Sequence, residues 1–357
     1  MSRPPDPVTS PEALIYLVGD AGEASPGRDS VLAHLNAELS HQGASHPETP
    51  IMVVFLGDNI YEVGARQEFR SEDLAKLTAQ VEAVPPRDGT RTVFLPGNHD
   101  WAKGANEETA RPAVRLQESW LDEIANARDV GFLPRDGCPG PSLVHVGGNV
   151  EVAFLDTEWL LRGLEDDGCG SPQEFYGRLA AELSARPDAR IILAAHHPMA
   201  TGGPHGGNVG VFDHGPFVYY LAVKSGLSVQ DLTSGRYSDM LTGLRTAIEE
   251  SGVRPVAFAS GHDHSLQVIA LNGDDEPAFQ LVSGSGSRTS AVEAIDGTRY
   301  AKAGHGYMRM VFTETSTDLV VFGQSSEGGS VHALFACALS ADAQEACAEA
   351  PLLEGTR

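Results

Sequence analysis

Five short segments of this sequence carry side chains that can bind hard metal ions. Their aspartate, asparagine and tyrosine residues offer oxygen ligands, and their histidines offer imidazole nitrogens. The segments are residues 19–22, 57–61, 97–100, 195–198 and 261–264. Each follows a short apolar run that is typical of a β-strand, and open α/β sheets bind ligands in the turns after their strands. We therefore expect the five segments to meet in one metal site.

Two carboxylates and one amide form the oxygen-bearing part of the predicted site. Asp20 and Asp58 follow separate predicted strands, and carboxylates suit hard cations and can bridge two of them. A single aspartate at a strand end is more often a turn residue or a helix cap, but the other segments favour metal binding. Asn98 adds a neutral amide oxygen, and Asp100 is predicted to orient the ring of His99 through a hydrogen bond.

Histidines supply the nitrogen ligands. His262 and His264 are two residues apart in a segment expected to be extended, so both rings lie on one face and can reach the same pair of ions. His196 follows another predicted strand. Its neighbour His197 would point the other way and is predicted to have a structural role.

The order and spacing of these motifs resemble the calcineurin-like metallophosphoesterase superfamily, and most closely the purple acid phosphatase pattern. That pattern is D-x-G, G-D-x-x-Y, G-N-H-(D/E), V-x-x-H and G-H-x-H, and the one departure here is Leu193 in place of valine. Gly22 stands where many members of the superfamily have histidine, and the resemblance then assigns Tyr61 as the missing ligand. The motifs span residues 19–264, so the resemblance covers most of the chain.

The resemblance implies both a fold and a set of metal ligands. The fold would be a four-layer α/β/β/α sandwich with two facing mixed sheets. Two ions would share the Asp58 carboxylate, the first being Fe(III) and the second Fe(II), zinc or manganese. The first ion would take Asp20, Asp58, Tyr61 and His264, and the second would take Asp58, Asn98, His196 and His262.

The activity that the resemblance implies is hydrolysis of small phosphorylated substrates, as in an acid phosphatase that acts on phosphate monoesters. A hydroxide bridging the two ions would attack phosphorus, and His99 would protonate the leaving group or stabilise the transition state. His205 lies nine residues beyond His196. This spacing resembles that of animal purple acid phosphatases, in which a histidine at the same offset faces the substrate. Two alternatives remain open: a phosphodiesterase or pyrophosphatase that acts on nucleotides, and a non-catalytic binding module of the same fold.

The charge of the chain limits its partners. Its 25 basic and 49 acidic side chains give a formal net charge of −24, which repels nucleic acid and anionic membrane surfaces. The longest apolar runs are too short to cross a bilayer, so we expect neither nucleic-acid binding nor membrane insertion. The sequence leaves the oligomeric state open.

Four cysteines leave two compartments open. Cys138 and Cys169 lie in glycine- and proline-containing loops, whereas Cys337 and Cys347 lie near the C-terminus. Four free thiols would fit a cytoplasmic protein if Met1 is the natural start, since no hydrophobic signal segment follows it. Two disulfides would instead indicate an exported or periplasmic protein.

Alternating strand and helix patterns predict one metallophosphoesterase domain over residues 13–336, after a disordered tail at 1–12 and before a C-terminal tail at 337–357. Residues 199–238 show no clear periodicity and are predicted to form an insertion or flap beside the site. Helices are expected near 30–39, 67–83, 109–126, 172–185 and 238–251. Strands are expected near 13–18, 51–56, 91–95, 143–146, 150–155, 190–195 and 255–259, with several more after residue 264.

Overall fold

Two β-sheets of seven strands each form the centre of the computed structural model, which describes residues 10–23, 30–126, 128–164, 168–207, 229–325 and 328–339. Both sheets contain parallel and antiparallel strand pairs. The predicted α/β architecture with two mixed sheets is confirmed.

The first sheet carries three of the five motifs. Its strand order is β14-β13-β12-β1-β2-β3-β4. The first four strands of the chain run parallel to one another, and the last three extend the sheet through antiparallel pairs. The strands are β1 (Ala13–Val18), β2 (Ile51–Phe55), β3 (Thr90–Phe94), β4 (Asp129–Phe132), β12 (Gly306–Phe312), β13 (Thr317–Gln324) and β14 (Val331–Ala338).

The second sheet carries the two histidine motifs. Its strand order is β11-β9-β10-β8-β7-β6-β5, with a parallel centre of β6, β7, β8 and β10. The remaining strands pair antiparallel. The strands are β5 (Ser142–Gly147), β6 (Val150–Phe154), β7 (Arg190–Ala194), β8 (Ala257–Ser260), β9 (Leu266–Ala270), β10 (Phe279–Ser283) and β11 (Thr298–Lys302).

Alternation along the strands divides the interior into an inner and an outer core. In β1, Ala13, Ile15 and Leu17 join an inner cluster that also contains apolar residues of the second sheet. Leu14 and Tyr16 point the other way and pack with helix residues. Successive side chains of a strand point to opposite faces, so a strand buried on both faces joins the two cores.

Helices cover the outer faces of the sheets. Several of them begin at a residue whose side chain accepts a hydrogen bond from the first turn, namely Asn106, Asp156, Ser171 and Ser234. The α-helices are α1 (Ser30–Ser45), α2 (Arg70–Glu82), α3 (Glu107–Ile124), α4 (Thr157–Arg162), α5 (Pro172–Ser184) and α6 (Gly235–Ser251). Short 3-10 helices occupy Gln67–Phe69, Arg135–Gly137 and Pro204–Gly206. No helix within these described residues is both long and apolar enough to span a membrane.

Most predicted elements occur within a few residues of their expected positions, and the differences involve short elements. The sequence analysis missed α4, β4 and β11, which have four to six residues each. Strand β14 continues to Ala338, past the predicted domain end at 336. Residues 1–9, 208–228 and 340–357 lie outside the described residues. Most of the predicted tails at 1–12 and 337–357 and about half of the predicted flap at 199–238 are therefore not described.

A disulfide joins Cys138 to Cys169, with a Cα–Cα distance of 5.3 Å. The interpretation that all four cysteines are free thiols is therefore wrong for this pair. Cys347 lies outside the described residues.

Candidate metal centre

The five motifs meet at one edge of the sandwich, where parallel strands of both sheets end. In the first sheet, Val18 pairs with Phe55 and Phe55 with Phe94, so β1, β2 and β3 end at the same level. In the second sheet, Ala194 pairs with Ala259, which aligns the ends of β7 and β8. The turns after these strands therefore lie side by side, as expected for a ligand site in an α/β fold.

Three residues of these turns adopt a left-handed backbone. Asp20, Asp58 and His262 have φ angles of 57°, 54° and 70°, a region that residues other than glycine seldom occupy. Gly57 also has a positive φ, and a Cβ atom there would lie only 2.6 Å from His196 Nδ1. Glycine at position 57 thus allows the turn after β2 to approach the imidazole from the other sheet.

Asp20, Tyr61 and His264 bring together three potential ligands of the predicted first ion. The Tyr61 hydroxyl donates a hydrogen bond of 2.8 Å to Asp20 Oδ1 and lies 3.1 Å from His264 Nε2. The same His264 nitrogen is 3.4 Å from Asp20 Oδ1. Asp20 Oδ2 accepts a 2.9 Å hydrogen bond from the backbone amide of His262, which fixes the carboxylate.

His196 lies at the centre of the second predicted group. Its Nε2 is 3.0 Å from Asn98 Oδ1, 3.3 Å from His262 Nδ1 and 3.4 Å from Asp58 Oδ1. Asp58 Oδ1 also accepts a 2.9 Å hydrogen bond from the backbone amide of His99. All four ligands predicted for the second ion therefore surround one point.

Backbone carbonyls fix which ring nitrogens face this point. His196 Nδ1 donates to the Leu56 carbonyl at 2.8 Å, and His262 Nε2 donates to the Gln230 carbonyl at 2.9 Å. A neutral imidazole has a single N–H, so the inward nitrogens of both rings carry lone pairs. Lone pairs that converge with carboxylate and amide oxygens suit a cation, and a carbonyl behind each ring is the usual support of a metal-binding histidine.

Asp58 connects the two groups. Ligand atoms of Asp20, Asp58 and His196 all lie within 4.8 Å of one another, and all three residues are buried. A carboxylate in this position can contact a cation on either side.

The charged states of these residues reflect burial and their close neighbours. Burial disfavours the charged ring of His196, but Asp58 and Asp20 outweigh it and raise the pKa of this imidazole. Burial also opposes ionisation of Asp58, yet His196 and His99 lower the pKa of the carboxyl. Burial, followed by the charges of Asp20 and Asp58, raises the pKa of Tyr61 well above its usual value. Tyr61 would therefore need the charge of a bound ion to become a phenolate ligand.

His197 is close to the ligands but has no nitrogen available for an ion. Its Nδ1 lies 2.9 Å from the Thr157 hydroxyl, and its Nε2 lies 2.7 Å from the side-chain oxygen of Gln230. Its position in a compact group with His196 and His262 is therefore no sign of a third ion. This geometry agrees with the structural role predicted for it.

Asp100 does not contact the His99 ring, and the hydrogen bond predicted between them is wrong. Its carboxylate instead accepts hydrogen bonds from the backbone amides of Gly97 at 2.8 Å and Asn59 at 3.0 Å. These bonds tie the turn after β2 to the turn after β3. Burial, together with repulsion from Asp58, raises the pKa of Asp100 to about 7. Asp100 thus shapes the backbone around the ligands.

His99 lies beside the centre without being one of its predicted ligands. Its ring is edge-on to Tyr61, with centroids 4.5 Å apart, and its Nε2 is 3.8 Å from Asp58 Oδ2. Its Nδ1 donates to the Glu62 carbonyl. Burial is the largest cause of a lowered His99 pKa, and the Lys103 charge adds to it.

His205 packs against the second group of ligands. Its ring lies over His262 with centroids 3.9 Å apart, and its Nδ1 pairs with the buried carboxylate of Asp231. Burial opposes the charged form, but the hydrogen bond to Asp231 and the charge of Asp263 raise the pKa of His205. The structure therefore places a protonatable group next to the predicted ligands.

Three residues that were not predicted from the sequence support the centre. Gln230 accepts from His262 through its carbonyl, Asp231 holds His205, and Lys103 donates a 2.9 Å hydrogen bond to His99 Nε2. Gln230 and Asp231 belong to the segment predicted to be a flap, where no periodic pattern indicates contacts. The only signal was the presence of polar residues in a segment expected beside the site.

Solved structures with a similar fold include two of low sequence identity. The first, GAP50, the anchor in the inner membrane complex of Plasmodium, has a TM-score of 0.56 and 15% sequence identity, over 91% of this chain and 89% of that chain. The second, PhoD, has a TM-score of 0.60 and 12% identity, over 98% of this chain and 74% of that chain. At such identities the likeness establishes the fold alone. No curated protein matches the sequence significantly.

A family model provides the stronger comparison. The model of calcineurin-like phosphoesterases matches residues 13–266, which is most of the chain and includes every predicted metal ligand. Its range begins at β1 and ends just beyond His264, so it coincides with the motifs that build the centre. The chain belongs to the calcineurin-like phosphoesterase family.

Proposed function

We propose that this protein hydrolyses phosphate monoesters with two metal ions held at the centre. The observation that carries the proposal is the position of the Asp58 carboxylate, within 4.8 Å of ligand atoms from Asp20 and His196. The converging oxygens and lone-pair nitrogens fit two hard or borderline cations. Bound there, the ions would supply Lewis acidity toward the phosphoryl group and an acidified water as nucleophile.

Residues around the ions would bind and protonate the substrate. His205, held by Asp231 and stacked on His262, is positioned to donate a hydrogen bond to the phosphate or a proton to the leaving group. His99 directs its N–H to the Glu62 carbonyl, so its inward nitrogen acts as an acceptor. We therefore assign the leaving-group proton to His205. A lone-pair nitrogen cannot donate a hydrogen bond to a phosphate oxygen, so we assign His99 a role in positioning the donors around it.

The proposal is tested with Asp58→Asn, which keeps the shape of the side chain and removes its charge. We expect metal content to fall below two ions per chain and kcat/KM to fall by about 1,000-fold or more, because metal assistance contributes several kcal/mol. Asp129→Asn, in an exposed residue of β4, is the control and should keep both metals and activity. Wild-type metal content and turnover in Asp58→Asn would overturn the proposal.

We further propose Fe(III) at the Tyr61 position, with Fe(II), zinc or manganese at the other, because a phenolate oxygen suits Fe(III). Elemental analysis and a visible spectrum of the purified protein test this. An absorption band in the violet-to-purple range should disappear in Tyr61→Phe and persist in Tyr176→Phe, a partly buried tyrosine in α5. A protein without iron, or a band that survives Tyr61→Phe, would contradict the assignment.

A substrate panel separates this activity from its alternatives. A phosphodiesterase or pyrophosphatase would use the same ions but prefer diesters or nucleotides over a simple monoester. The fold is also compatible with a non-catalytic role, since GAP50 is described as an anchor. The complete set of ligands favours catalysis, whereas a purified protein with neither metal nor turnover would favour the binding module.

A further inference from the structure

Both nitrogens of His99 are engaged, and one of them binds a lysine. Nδ1 donates to the Glu62 carbonyl, so Nε2 is an acceptor and takes a 2.9 Å hydrogen bond from Lys103 Nζ. The same Nε2 is 3.8 Å from Asp58 Oδ2. The His99 imidazole thus lies between the Lys103 ammonium and the carboxylate that joins the two groups of ligands.

The backbone before Lys103 is strained. Ala102 has a φ of 50°, in the left-handed region that residues other than glycine seldom occupy. The Arg162 guanidinium fixes this turn by donating a 2.7 Å hydrogen bond to the Trp101 carbonyl. Strained backbone of this kind concentrates at functional sites, and the exposed Lys103 that follows it reaches His99.

Lys103 also lies among charges that belong to the rim of the centre. Its ammonium acts electrostatically on the rings of His99 and His205 and on the Glu62 carboxylate. Lys103 is a cation at this rim in a chain with a net charge of −24, and Arg288, whose guanidinium lies 3.7 Å from the Tyr61 ring centroid, is another. A lysine ammonium is a common ligand of phosphate. Its hydrogen bond to a charged phosphate oxygen is stronger than its hydrogen bond to a neutral imidazole nitrogen.

We propose that Lys103 binds the substrate's non-bridging phosphoryl oxygens and makes the site prefer dianionic monoesters over monoanionic diesters. This inference rests on the proposed function. A phosphate monoester carries about −1.5 to −2 charges at pH 7, whereas a diester carries one. In the absence of substrate, the Lys103 ammonium donates its hydrogen bond to His99 Nε2. When a monoester binds, its charged phosphoryl oxygens replace this nitrogen as the acceptor.

The experiment compares two substrates on the metal-loaded protein and its variants. The substrates are p-nitrophenyl phosphate and bis(p-nitrophenyl) phosphate, and the variants are Lys103→Met, Lys103→Arg and the control Lys302→Met in β11. In Lys103→Met we expect kcat/KM for the monoester to fall about 10- to 100-fold, the usual effect of losing a hydrogen bond between charged groups. The diester should change little, Lys103→Arg should retain part of the preference, and Lys302→Met should match the wild type.

Binding of inorganic phosphate provides a readout that does not need turnover. Calorimetric titration of the metal-loaded proteins should show a Kd for phosphate that rises in Lys103→Met by a factor similar to the loss of kcat/KM, with metal content unchanged. Equal losses on both substrates would mean that Lys103 only supports His99, and this result would overturn the inference. An unchanged Kd for phosphate in Lys103→Met would overturn the inference as well, and this test does not need turnover. A wild-type protein that hydrolyses neither substrate would contradict the proposed function, which is a separate outcome.

Discussion

At the scale of single residues, the proposed ligands are held in an arrangement that is unfavourable without a cation. Asp20, Asp58 and His262 have positive φ angles, which cost roughly 1–2 kcal/mol each. Asp20 and Asp58 are also buried with ligand atoms within 4.8 Å of each other, so their negative charges repel one another. Backbone hydrogen bonds keep these groups in place, so bound ions would relieve the repulsion and stabilise the fold.

Metal removal should therefore lower the free energy of unfolding. With free metal at about 1,000 times its Kd, binding contributes about 4 kcal/mol per site, and this contribution is lost on chelation. Urea unfolding with and without EDTA measures the difference. The difference should shrink in Asp58→Asn and persist in Asp129→Asn. Equal unfolding curves with and without chelator would show that the centre binds no ion tightly.

At the scale of elements, Asp156 connects helix α4 to the side chain of Trp101, just after the turn that carries Asn98 and His99. One carboxylate oxygen caps α4 by accepting from the Trp159 amide at 3.0 Å, and the other accepts from the Trp101 indole at 2.8 Å. The residue is fully buried. Burial, the largest cause, raises the pKa of Asp156 from 3.8 to about 7.

This shift makes the stability of the protein depend on pH. Between pH 3.8 and about 7 the folded state keeps a proton on Asp156 that the unfolded state has released, so the stability that this group contributes falls as pH rises. From pH 5 to 8 the free energy of unfolding of the wild type should therefore fall relative to Asp156→Asn by about 1–3 kcal/mol. Urea unfolding in EDTA at both pH values measures this difference. A constant difference would mean that the pKa of Asp156 is not raised.

The disulfide between Cys138 and Cys169 fastens the loop before β5 to the loop before α5. Its cysteines are 31 residues apart, and closing a loop of this length stabilises a fold by about 3–4 kcal/mol. We expect the Cys138→Ser/Cys169→Ser variant to lose stability of this order in urea unfolding. Because such bonds persist in oxidising compartments, we propose an exported or periplasmic location. A full complement of free thiols in protein taken from its native cell would contradict both statements.

At the scale of the whole molecule, the sequence predicted the features that depend on local patterns. An apolar run followed by a polar turn can be recognised without knowing the fold, so the strand ends that carry Asp20, Asp58 and His196 could be located. Contacts between distant segments leave no such pattern. The support of His262 by Gln230 and of His205 by Asp231 joins residues that only the folded chain brings together.

The orientation of neighbouring side chains was equally beyond the sequence. Asp100 is adjacent to His99 and was expected to bind its ring, but the turn directs the carboxylate to the amides of Gly97 and Asn59. Lys103, four residues beyond His99, reaches the ring instead, and the residue before it, Ala102, has a positive φ. Adjacency in sequence does not determine direction in a turn, where backbone angles change from residue to residue.

The net charge of −24 should make the rate of substrate capture depend on ionic strength. The cations of the centre act at short range, whereas the excess of carboxylates repels an anionic substrate over the whole surface. Salt screens the distant charges first, because the Debye length falls from about 30 Å at 0.01 M to about 8 Å at 0.15 M. We therefore expect kcat/KM for p-nitrophenyl phosphate to rise a few-fold over this range, with bis(p-nitrophenyl) phosphate rising less because it carries less charge. Choline chloride should act like sodium chloride if screening is the cause. A fall in kcat/KM with salt would instead show that the local field of the ions, His205 and Lys103 governs the approach of the substrate.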